Sequence, residues 1–133
     1  MNRQAQKDRI FQRLQHSLQA LALPGEQQIQ LFPIAVVIAD ELVLDFDHWR
    51  SCAVDNYRIE LTKAQLRCLG TLNDKIENAT NSADKNVWCE DALRSHGFWA
   101  ELRELAAQAL ETFGWPLAVP PNYKHEYVRG GRR

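Results

Sequence analysis

The chain has 133 residues, 45% of them hydrophobic and 25% charged, with a formal net charge of −1. That length supports one domain with its own core and no need of metal or disulfide staples. The near-neutral balance gives no global electrostatic drive toward nucleic acid or a membrane surface.

In chain order, residues 3–22 carry Ile10, Leu14, Leu18 and Leu21 at helical spacing, with Arg3, Lys7, Arg9 and Arg13 on another face. The spacing predicts a first helix, ended by Pro24-Gly25. Ile34–Ala39 is a short continuous apolar run, and Leu42, Leu44 and Phe46 alternate with Val43, Asp45 and Asp47. Ile29–Phe46 therefore reads as two strands joined at Asp40-Glu41. The turn lacks the Gly or Asn that tight hairpins favour. A helix through Asp40–Trp49 competes, because Leu42, Phe46 and Trp49 also fit a 3.6-residue period. Val54–Leu61, alternating Tyr57, Ile59 and Leu61 with Arg58 and Glu60, would supply a third strand.

Thr62-Lys63-Ala64-Gln65 is a capping box, with Leu61 and Leu66 placed as a hydrophobic staple. It opens a helix predicted over 62–78 that turns Leu66, Leu69, Leu72 and Ile76 inward. A polar loop over 78–86 precedes a short helix over 86–95 anchored by Trp88, Ala92 and Leu93. The strongest pattern is 98–113, where Trp99, Leu102, Ala106, Ala109 and Phe113 form one stripe and Glu101, Glu104, Gln108 and Glu111 face away. Gly114 sits where a left-handed cap belongs, and Pro116 follows as a stop. The fold class expected is α+β: a mostly helical single domain with a small antiparallel hairpin sheet between the first and second helices. The globular domain is placed at 1–123, with 124–133 a basic, disordered tail. The predicted core is Leu14, Leu18, Val36, Ile38, Leu44, Leu66, Leu69, Trp99, Leu102, Ala106, Leu110 and Phe113.

The chemistry-bearing residues are sparse. Cys52, Cys68 and Cys89 show no CxxC spacing, and His16, His48, His96 and His125 show no HxH or HxxxH spacing, so neither a zinc site nor a disulfide framework is expected. No cofactor is expected. Free thiols, a polar Gln-rich start and no apolar run near the roughly 20 residues of a membrane span predict a cytoplasmic location. Asn78-Ala79-Thr80 matches a glycosylation acceptor, but one without meaning in that compartment. Pro120-Pro121-Asn122-Tyr123 matches a PPxY ligand pattern, with a rigid strap across the core as the plainer reading.

Val43-Leu44-Asp45-Phe46-Asp47-His48 is the one catalytic-looking cluster. On a strand, Asp45 and Asp47 would project from the same face, about 7 Å apart, near enough to share a divalent cation. An apolar strand followed by Asp-x-Asp resembles the first motif of haloacid-dehalogenase-type phosphatases. The likeness stops at His48-Trp49, where those enzymes carry small residues. A metal-dependent phosphatase using the Asp45–Asp47 pair is therefore one alternative. A nucleic-acid adaptor using the basic first helix and tail is another.

Charge is unevenly spread. Residues 40–60 hold six acids against Arg50 and Arg58, a net of −4, whereas 112–133 hold Lys124, Arg129, Arg132 and Arg133 against Glu126, a net of +3. The segment VWCEDALRSHGFWAELRELAAQALETFGWP, residues 87–116, resembles the C-terminal helices of small bacterial immunity proteins that neutralise polymorphic toxins. It shares a Trp before an acidic pair and Ala-Leu, then a Trp four residues ahead of Arg103 in a long helix closing in Phe-Gly. The resemblance implies stoichiometric binding of one partner protein, without catalysis. With it, the expected partner-binding surface is Asp40, Glu41, Asp45, Asp47, His48, Trp49 and Asp55, facing a basic protein such as a nucleic-acid-cleaving toxin. Neither membrane nor nucleic acid is expected as partner, and self-association is left open.

Overall fold

Apolar residues repeating every three or four positions build a helical bundle rather than the expected α+β fold. The computed structural model describes residues 2–32 and 37–121. Among them the elements are α1 (Arg3–Ala22), α2 (Gly25–Gln30), α3 (Ile38–Tyr57), α4 (Lys63–Asn81), α5 (Glu90–Ser95) and α6 (Gly97–Phe113), with single 3-10 turns at Arg58–Glu60 and Asn86–Trp88. No described residue is in a strand, and no described helix is long and apolar enough to cross a membrane.

The correction falls on the segment read as a hairpin. Residues 38–57 are one continuous helix, and the expected third strand is its end plus a 3-10 turn. At 100° per residue, Ala39, Leu42, Val43, Phe46, Ala53 and Tyr57 gather on one buried arc. Asp40 and Glu41 are the acids of its first turn, where the helix dipole favours negative charge, and not a turn between strands. Leu44, predicted core, is 52% exposed, because a helix turns it away from Leu42 and Phe46. Ile38 and Phe113 are half-buried against the core, Leu66 is half-buried, and the other predicted core residues are buried apart from Val36, which lies outside the described residues.

Side-chain ties fix the topology. The Arg3 guanidinium donates to the Asn56 carbonyl at 3.2 Å and Lys7 pairs with Glu60, so α1 begins where α3 ends. Phe11 meets Phe113 edge-on at 6.5 Å, and Arg103 donates to the Leu23 carbonyl at 2.7 Å, so α1 and α6 are antiparallel. Gln65 donates to the Thr112 carbonyl and Lys75 pairs with Glu101, which makes α4 and α6 antiparallel as well. The resulting ring is α1, α3, α4, α6, each antiparallel to its neighbours.

The ends are closed by signals visible in the sequence. Thr62 and Gln65 form the reciprocal capping box at 2.9 and 3.0 Å. Gly114, at φ 72°, lets its own amide and that of Trp115 reach the Glu111 and Leu110 carbonyls. The helix expected over 86–95 is a 3-10 turn followed by α5, with the Trp99 indole donating to the Val87 carbonyl at 2.7 Å. Gly25 seats α2 directly on α5: a Cβ there would lie 2.2 Å from the Leu93 carbonyl oxygen. Arg103 also donates to that oxygen, at 3.2 Å, and burial lowers its pKa.

Candidate functional site

Among the described residues, the ring is open along the seam between α3 and α4. Between α3 and α4 runs a groove of about 460 Å³ lined by Val43, Leu44 and Asp47 on one wall and Asn73, Ile76, Glu77, Thr80 and Asn81 on the other. It continues into a second hollow of about 280 Å³ that shares Val43, Leu44 and Thr80 and adds Asp40, Lys85 and Trp88. Helical spacing makes the walls: Asp40, Leu44 and Asp47 follow i, i+4, i+7 on α3, as Asn73, Glu77 and Thr80 do on α4. Trp88 closes one end, its ring packed edge-on to Trp99 and Phe98. Lys85 sits beside it and donates to the Thr80 carbonyl at 3.1 Å.

The floor is apolar and the rim acidic. Leu44 is the most exposed apolar side chain lining it. Asp47 pairs with Arg50 at 2.9 Å, and Glu77 accepts from the Asn73 amide at 3.4 Å. Asp40 is exposed at the start of α3. Asp40, Asp47 and Glu77, set against Lys85 and the Arg50 paired with Asp47, leave the mouth of the groove with a formal net charge of −1.

The seven residues expected to form one surface divide between two sides of α3. Asp40 and Asp47 line the groove. Glu41, Asp45 and Trp49 are spaced by four and stand on the flank toward α1, with Glu41 half-buried and Asp45 buried. Trp49 is half-buried, with the Arg9 and Arg13 guanidinium carbons 5.8 and 5.7 Å from its ring centroid. His48 is exposed and packs edge-on against Trp49 at 4.4 Å, and Asp55 is exposed further along the helix. Trp49 thus joins α3 to α1 instead of ending an acidic patch.

The paired-carboxylate geometry is absent. Two residues apart on a helix, Asp45 and Asp47 point about 160° apart, one buried and one exposed. No three His, Cys, Asp or Glu side chains among the described residues converge as a metal site. Cys52 Sγ lies 3.9 Å from His48 Nε2, but burial, and secondarily Asp55, push that thiol's pKa up, the wrong direction for an activated nucleophile. His96 caps α6, its Nδ1 accepting from the Phe98 amide at 3.0 Å. On α1, Arg3 lies 4.5 Å over the Tyr57 ring, Lys7 holds Glu60, and Arg9 and Arg13 cover Trp49. Each of the four cations of the basic face read from the sequence has a neighbour on α3 or the turn after it, with Arg3 and Arg9 exposed and Lys7 and Arg13 half-buried.

Sequence reasoning missed the α4 wall. Asn73 and Glu77 fell on the expected helix but Thr80 in the loop expected over 78–86, whereas α4 runs to Asn81, and only the helical reading of residues 40–49 sets Asp40, Leu44 and Asp47 opposite them. The expected tail 124–133, and Asn122 and Tyr123 of the PPxY pattern, lie outside the described residues, whereas Pro120 is buried.

No protein-family model, curated protein or solved structure matches this chain.

Proposed function

We propose that this protein works by stoichiometric, non-catalytic binding of one basic partner protein through the α3–α4 groove. The observation that carries the reading is the open seam itself: exposed Leu44 over an apolar floor, with Asp40, Asp47 and Glu77 around it. Such a mouth speeds encounter with a cationic surface, while a few desolvated apolar contacts hold the complex. A cytoplasmic immunity protein that blocks a nucleic-acid-cleaving toxin fits this chemistry, since a nuclease presents cations to its own polyanionic substrate. The resemblance of residues 87–116 supports the same role. The nucleic-acid adaptor reading is less supported, because Lys7 is paired with Glu60 and Arg3, Arg9 and Arg13 lie against the Tyr57 and Trp49 rings instead of converging on one open face.

The test is association of the purified partner with wild type and with Asp40→Lys/Glu77→Lys, two exposed positions whose reversal spares the core. The double variant should slow association by about tenfold or more, and added salt should slow the wild type toward it. Association indifferent to both changes would overturn the reading.

A further inference from the structure

The shape of the groove says what form the partner segment takes, resting on the reading that a basic protein binds there. Both walls are helices, whose backbone N–H and C=O groups are spent on their own i to i−4 bonds along most of the groove, and at the end where α4 stops Lys85 takes the Thr80 carbonyl. An extended peptide laid between them finds no strand edge to pair with, so strand addition is closed. A polyproline segment needs an aromatic-lined trough, and Trp88 is the one aromatic lining these hollows. A helix satisfies its own backbone and asks only for a trough with apolar floor and polar rims.

The dimensions agree. Asp40 to Asp47 spans seven residues of α3, about 10 Å or two helical turns. Over that length Val43, Leu44 and Ile76 meet an apolar stripe, while Asp40 and Asp47 on one side and Glu77 on the other meet its two flanks. We propose that the occupant is a short amphipathic helix of the partner, apolar at i, i+3 or i+4, and i+7, with Lys or Arg on both edges of that stripe. It would complete the seam of the bundle as a further helix. Charge complementarity selects this occupant over the same face of a second copy of this chain, whose groove carries the same acids.

The experiment titrates the full chain, labelled for NMR, with a synthetic peptide of roughly 20 residues, beyond the length at which isolated helices are marginal. The peptide has Leu along one stripe and Lys on both flanks, and its control has Glu in place of every Lys. The Lys peptide should bind saturably and shift the Leu44 and Thr80 amides and the Trp88 indole N–H, leaving the Trp49 indole unmoved. The Glu peptide should produce no shift. Leu44→Glu and Glu77→Lys should each weaken the Lys peptide by about tenfold. Equal binding of both peptides, or binding that ignores Leu44→Glu, overturns the proposal. So does a wild-type dimer in sedimentation that Leu44→Glu dissociates, which gives the groove to a second copy. So does a large gain in peptide affinity on reversing Arg129, Arg132 and Arg133 to Glu, which gives it to the chain's own end. If the Lys peptide fails while the intact partner remains sensitive to Asp40→Lys/Glu77→Lys, the helical occupant is wrong and the basic-partner reading stands. If both fail, neither stands.

Discussion

Truncating Leu42 and Leu44 separately distinguishes the helix from the hairpin more sharply than any other pair of substitutions. On a strand the two residues share a face and would lose similar stability. On α3 they point apart: Leu42 is fully buried and Leu44 is 52% exposed. Leu42→Ala removes buried methyl groups and leaves a cavity, costing about 2–5 kcal/mol. Leu44→Ala gives up at most about half the transfer of a buried leucine, roughly 1 kcal/mol or less, partly offset by the better helix propensity of alanine. For a domain of this size each kcal/mol moves the melting temperature by about 4 °C, so the expected drops are roughly 8–20 °C and under about 4 °C. Urea unfolding followed by far-ultraviolet circular dichroism should show the same order in the midpoints with an unchanged slope. Equal losses at the two positions would refute the helical register and the groove built on it.

Other substitutions test the rest of the frame. Gly25→Ala forces a Cβ into the Leu93 backbone and should destabilise by about 1–3 kcal/mol in the same urea assay. Trp99→Phe removes the indole donor from the buried Val87 carbonyl and should cost about 1–3 kcal/mol, whereas Trp115→Phe, half-buried and stacked on Phe113, should cost less. The Cys52 thiol is held above its ordinary pKa by burial and then by Asp55. The unfolded thiol therefore ionises first, and this contribution is full below the ordinary thiol pKa and fades as pH rises through the folded value. Between about pH 8 and pH 10 wild type should lose more stability than Cys52→Ala, and equal losses would contradict the shift.

How far the fold could be read depended on whether local signals competed. The helix at 98–113 carries stripe, left-handed cap and stop together, and the Thr62–Gln65 box fixes the start of α4, so both appear where expected. Residues 34–46 offered two periods at once. Alternating Leu42, Leu44 and Phe46 satisfies a two-residue repeat, while Leu42, Phe46 and Trp49 satisfy a helical one. The core decided, because only a helix buries Ala39, Leu42, Phe46, Ala53 and Tyr57 against α1 in one stripe. The candidate site inherited that ambiguity. Asp40 and Asp47 belong to it, but Asp45 and Trp49 turn to the other side of α3, and the α4 residues facing them are neighbours only in three dimensions.

The most direct test of the groove as the partner site is position-specific photo-crosslinking in the native host. A crosslinking amino acid placed at Leu44 or Thr80 should capture one protein of basic charge, through a Lys- or Arg-rich amphipathic helix. The same probe at Gln12 on α1 or Gln108 on α6, both exposed, should not capture it. Capture from Gln12 or Gln108 with none from Leu44 and Thr80 would contradict the account.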